Sequence, residues 1–179
     1  MGVLNNLPLY YNGGAYDSLR NRWYFGTSPN NLAFVTDTNP STFASHGAAC
    51  ANPNPPTLML TQSWTRAWIG DTLEVTVGFL PLSMAFLAMG FSDQTYGATP
   101  LPLNLANYGM PGCQLHVAPD ATRFAIGANN ATNFQLAIPN SQSLLGVTFG
   151  QQVLAPFPGA NPADALTSAS IRGTVGRAF

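Results

Sequence analysis

The chain contains no lysine, and charged residues of either sign fill only 7% of its 179 positions. Ordinary soluble domains carry about 25%, so Asn, Gln, Ser, Thr and backbone must cover most of this surface. Six arginines against seven acids leave a formal net charge of -1. That balance gives no basic footprint for nucleic acid, no polybasic membrane attachment and no field for a highly charged substrate. Long apolar runs are missing too: the longest, Met84 to Phe91, is about half the ~20 residues a transmembrane helix needs. Met1 to Asn12 has neither a basic start nor an uninterrupted apolar run of ~7 to 15 residues. The expectation is therefore that an export segment has been removed, or that the numbering begins at a processed end. Catalytic inventory is equally thin. Glu74 and six aspartates sit mostly where Asx turns are expected, and no Gly-x-Ser-x-Gly elbow accompanies His116 and Asp120. No set of residues stands out as catalytic or cofactor-binding.

What is present is apolar surface and breakers. Hydrophobic residues make up 46% and aromatic residues 11%, enough to bury a core and exclude disorder. With 17 Gly and 15 Pro spread along the chain, no helical period survives more than about three turns. The fold class is all-β.

Period-2 alternation places the strands. Arg22 to Thr27 and Asn31 to Thr36 read as a hairpin, turned by Ser28, Pro29, Asn30 and Asn31. Asp37 to Pro56, polar and proline-rich, reads as a linker or edge loop. Then follow Thr57 to Ser63 and Thr72 to Phe79, the second with Leu73, Val75, Val77 and Phe79 on one face. Met84 to Phe91, apolar throughout, is expected in the centre of a sheet. Gln114 to Ala118, Asn133 to Ile138, Thr148 to Leu154 and Ser168 to Val175 complete about seven strands. The count and spacing predict an immunoglobulin-like antiparallel β-sandwich over residues 45–179, preceded by an N-terminal β extension over 1–44. Prolines in or beside nearly every strand, and strands of about seven residues, argue against an outer-membrane barrel.

The run Pro100 to Leu105 through Gly109-Met110-Pro111-Gly112-Cys113, followed by Val117 to Asp120, resembles the C-terminal β-sandwich domain of large secreted proteins of planctomycetes and similar bacteria. Gly47 to Cys50, Gly70 to Gly78, Ile138-Pro139-Asn140 and Gly159-Ala160-Asn161-Pro162 before Ser168 match in the same order. The resemblance covers residues 45–176 or so, and implies an exported module without an assigned reaction. In that family the domain usually trails a much longer chain, whereas here it is nearly the whole sequence, which points to a subunit in its own right.

The family's two cysteine positions correspond to Cys50 and Cys113, so the resemblance implies a disulfide, in keeping with an extracellular or cell-surface location. The competing reading takes His46, Cys50, Cys113 and His116 as four ligands for zinc or copper. Against it, Cys113 and His116 stand at an odd offset, where a strand points them to opposite faces. No metal or other cofactor is expected.

Trp64, Trp68 and Tyr96 could form a stacking platform for glycans, with the simpler alternative that Trp64 and Trp68 flank a hairpin and cover a core edge. Trp23 belongs to an N-terminal group with Leu4, Tyr10, Tyr24, Phe25 and Phe34 that cannot stay in solvent. It is expected to pack on its own domain or to add a strand to a neighbouring copy. Nearly uncharged surfaces approach one another without repulsion. The leading expectation is an exported, non-enzymatic structural protein that assembles with itself as a filament, sheath or layer. An adhesive or carbohydrate-binding module is the alternative.

Overall fold

The computed structural model describes the backbone of residues 2–5, 14–17, 22–28, 31–36, 39–50, 59–62 and 65–177, and the side chains of 39–50 and 65–177. The chain divides into two compact units, residues 1–40 and residues 41–178. In the first, β1 (Gly2–Asn5), β2 (Gly14–Asp17), β3 (Arg22–Ser28) and β4 (Asn31–Thr36) form one antiparallel sheet in the order β1-β4-β3-β2. The hairpin expected from the sequence is β3 with β4, where Trp23 stands opposite Val35 and Tyr24 opposite Phe34. Two further strands flank it, so the pairing of this unit is internal.

The second unit opens with β5 (Thr42–His46) and β6 (Met59–Gln62), followed by β7 (Thr72–Gly78) and β8 (Met84–Gly90). Four two-residue strands come next: β9 (Thr95–Tyr96), β10 (Thr99–Pro100), β11 (Leu103–Asn104) and β12 (Gln114–Leu115). The long strands resume with β13 (Ala121–Ile126), β14 (Thr132–Ala137), β15 (Thr148–Pro156), β16 (Ala165–Thr167) and β17 (Ser170–Thr174). One sheet runs β13-β8-β15-β17-β5, with β16 also pairing to β15; the other runs β14-β7-β6. All the strand pairs are antiparallel. The described residues contain no α-helix, only two single turns of 3-10 helix.

The two sheets share one core. Leu73, Val75 and Val77 of β7 and Phe134 and Leu136 of β14 meet Ala85 and Leu87 of β8 and Val153 and Ala155 of β15. Strict alternation explains β7 and β14: Thr132, Phe134 and Leu136 are buried while Asn133, Gln135 and Ala137 are exposed. The outward side of β7 and β14 is largely polar, and Gln135 Nε2 donates to Glu74 Oε1 across the pair, 3.1 Å away.

Four expectations change. Phe79 leaves the alternation, because its backbone turns to φ +60° and its ring is exposed. The polar stretch Asp37 to Pro56 contains β5, an edge strand with three of five residues exposed and hence no apolar alternation to read. Gln114 to Ala118 pairs as a strand only at Gln114–Leu115. The segment Ala121–Ile126, not foreseen as a strand, pairs along its whole length with β8. Its side chains invert the usual pattern, with Thr122, Phe124 and Ile126 outward and Arg123 turned toward the other sheet.

The missing half of Gln114 to Ala118 lies across the outer face of the large sheet. His116, Val117 and Ala118 are buried there, and the strands beneath carry glycine where the cover touches. A Cβ on Gly150 would lie 2.8 Å from Val117 Cγ2, and one on Gly90 would overlap the carbonyl oxygen of Ala118. Backbone cannot yield as a side chain can. Gly90→Ala is therefore expected to destabilise the domain by about 1–3 kcal/mol, read as a lower urea midpoint with an unchanged slope.

Candidate functional site

The large sheet's outer face is divided between a covered part and a bare part, and the covered part is built first. Residues 91–120 leave β8, make two short ribbons and return as the cover. Gln152, on the outward side of β15 and almost fully buried, holds it. Its Oε1 accepts the His116 N–H at 2.8 Å, and its Nε2 donates to Gln114 O and Ser168 O, both at 2.9 Å. Beside these bonds Cys50 and Cys113 form a disulfide, with a sequence separation of 63 residues. Cys50 Sγ also accepts the Thr167 N–H at 3.1 Å.

The two histidines and two cysteines come together as two pairs, not as one cluster: sulfur with sulfur and imidazole with imidazole. Both sulfurs are consumed in the bond, so neither is available as a thiolate ligand, and no group of metal-binding side chains occurs among the described residues. The His46 and His116 rings meet edge to face with centroids 6.4 Å apart. His116 bonds Ala48 O through Nε2 at 3.2 Å, and its ring lies against the α-carbon of Gly47, whose φ of +74° independently requires glycine. Burial holds the His116 imidazole below its ordinary value near 6.5; the Ala48 bond opposes this, and His46 adds to it. His46 faces Asp93 at 3.1 Å. Asp120 Oδ2 accepts the Phe91 N–H at 3.0 Å.

The bare part lies at the other end of the same face. Phe86 of β8 stands directly opposite Phe124 of β13 on one side and Leu154 of β15 on the other. The two rings are 4.8 Å apart. Phe86, Phe124 and Leu154 are 41%, 51% and 36% exposed, and Ile126, two residues along β13, is 68% exposed. This apolar row runs to β13, an edge of the sheet. The sequence signal was present in the uniformly apolar run of β8: it reflects one buried face and one bare apolar face, not two buried ones.

The aromatic candidates are dispersed in the structure. Trp68 is half-buried and bridges Gly176. Tyr96 is exposed in the ribbon of β9 and β10. Trp23 belongs to β3 of the other unit, and Trp64 lies outside the described residues. None of the helices described is long and apolar enough to cross a membrane. No family model, curated protein or solved structure matches this chain.

Two measurements follow from the cover. Reducing the Cys50–Cys113 bond is expected to lower stability by about 4 kcal/mol in the loop-entropy model, seen as a drop in urea midpoint with reductant. His116 sets a direction with pH. Its folded-state value lies below the unfolded one, so from about pH 6.5 downward the unfolded chain takes up the proton first and stability falls. The melting temperature is expected to be flat from pH 8 to 7 and to decline toward pH 5. His116→Asn should flatten that decline.

Proposed function

We propose that this chain is an exported structural subunit that assembles with copies of itself through the edge strand β13 and the apolar row beside it. The observation that carries the reading is the row Leu154, Phe86, Phe124, which ends on an edge with no proline and no outward charge to guard it. Antiparallel pairing of β13 with β13 of a second copy, about a two-fold through Phe124, sets residues opposite on the same face. The row then continues unbroken across six strands. At the far side of the sheet β5 is a second edge, and a sheet that can be continued at both edges suits a filament or layer. The small net charge supports the reading, since copies approach without repulsion. The disulfide supports an extracellular or cell-surface setting, where such bonds persist. The likeness of residues 45–176 to the secreted planctomycete-type domain points the same way.

Light scattering of the full chain through a dilution series is expected to show concentration-dependent association. Phe124→Asp should raise the dissociation concentration at least tenfold, while Tyr108→Asp, an exposed position off the row, should leave it unchanged. Molar sodium chloride should preserve the assembly, because so few ion pairs are available to screen. A chain monomeric at every concentration, or a Phe124→Asp variant that associates like the parent, would overturn the reading.

A further inference from the structure

We propose that the pocket at the covered end of the large sheet binds a single uncharged sugar ring. The pocket encloses about 360 Å³ between the turn that leaves β8 and the strands β15, β17 and β5. That is the lower end of the ~300–1,000 Å³ range of small-molecule sites, room for one ring and not for an oligosaccharide buried whole.

Its polar wall is a connected set. Asp93 Oδ2 faces His46 Nε2 at 3.1 Å and the guanidinium of Arg172, while Gln94 Nε2 donates to Asp93 Oδ1 at 3.1 Å. The turn carrying Asp93 is fixed from behind, since Ser92 Oγ accepts the N–H groups of Gln94 and Thr95. Carboxylate, amide and guanidinium are thus pre-positioned before any ligand arrives, which lowers the entropic cost of binding. The Asp93 side chain is mostly enclosed, but those of Arg172 and His46 remain 46% and 37% exposed.

Charge selects the ligand class. Arg172 and Asp93 cancel one another, so an anion would have to compete with Asp93 and a cation with Arg172. A neutral polyol does neither: its hydroxyls accept from the guanidinium, which carries five N–H donors, and donate to the carboxylate and amide oxygens. The apolar requirement of a sugar, a flat surface for its C–H face, is met by Phe91, which lines the pocket and is 73% exposed. An exposed phenyl ring contributes little to the fold, and an ion pair this open contributes about 0–1 kcal/mol. Stability alone accounts for neither.

Saturation-transfer NMR and calorimetry on the full chain would use glucose, galactose, mannose and N-acetylglucosamine, with glucuronate and inorganic phosphate as charged comparators. At least one neutral sugar is expected to bind with a roughly millimolar constant. Phe91→Ala should weaken it at least tenfold without changing the melting temperature, and Arg172→Gln should weaken it likewise. Phe124→Asp should leave it intact, which separates this site from the assembly surface. The proposal is overturned if no neutral sugar binds, if glucuronate or phosphate binds more tightly than all of them, or if binding survives both Phe91→Ala and Arg172→Gln.

Discussion

The side-chain amide of Gln152 decides which part of the large sheet meets solvent. One buried amide accepts the His116 N–H of the cover and donates to the carbonyls of Gln114 and Ser168, tying the cover both to β15 and to the turn before β17. Leaving such groups buried without partners costs about 1–3 kcal/mol each, so the cover follows the amide. The disulfide acts on the same segment by a different route: it restricts the unfolded chain, whereas Gln152 sets the position in the folded one. The glycines at 47, 90 and 150 are consequences of that position, because each lies where the cover comes within contact distance. Gln151, one residue earlier and on the opposite face of β15, is equally buried, and its side-chain amide makes no hydrogen bond among the described residues. Equal burial of neighbouring glutamines thus has opposite energetic meaning.

Where the cover stops, the chemistry of the face changes. Under and beside it stand His46, Asp93, Arg172 and Gln152, a polar set at the β5, β17 side. Beyond it, on β8, β13 and the far end of β15, the outward residues are Phe86, Phe124, Ile126 and Leu154. On β7 and β14 the small sheet shows no such division, since Thr72, Glu74, Thr76, Asn133 and Gln135 make the outward side largely polar. The two sheets of one sandwich therefore differ: the described outward side of the small one is largely polar, and the large one carries both the bare apolar row and the polar pocket on which the two proposals rest.

The sequence made legible those elements in which alternation reports burial. β7 and β14 were readable because one face is core and the other is water, and the β3–β4 hairpin was readable from its turn chemistry. Both of the long strands that escaped are edge strands. β5 has little buried side-chain area, and β13 reverses the rule by facing its aromatic residue outward and its arginine inward. The cover could not be told from a strand because His116, Val117 and Ala118 are buried by lying on a sheet, not by pairing in one. The disulfide was expected from one even cysteine pair in a low-charge β chain together with the resemblance, not from spacing. The pocket was not legible at all: His46, Asp93 and Arg172 are far apart in the chain and become neighbours because β17 pairs with β5 and the turn after β8 carries Asp93 to them.

In the proposed assembly, the placement of Arg123 bears on which edge is left open. Its side chain reaches across to the carbonyl of Gln135 on β14, at 3.1 Å, and so places the one charge of β13 against the edge of the small sheet. An inward charge at an edge is a recognised guard against strand addition, and here it guards β14. The same rotation removes charge from the outward face of β13 and leaves Thr122, Phe124 and Ile126 to meet a second strand. Had Arg123 faced outward, it would have stood between Phe124 and any copy, and β14 would have been the more open edge. On that proposal, the placement of a single guanidinium distinguishes two adjacent edges and leaves open the one continuous with the apolar row.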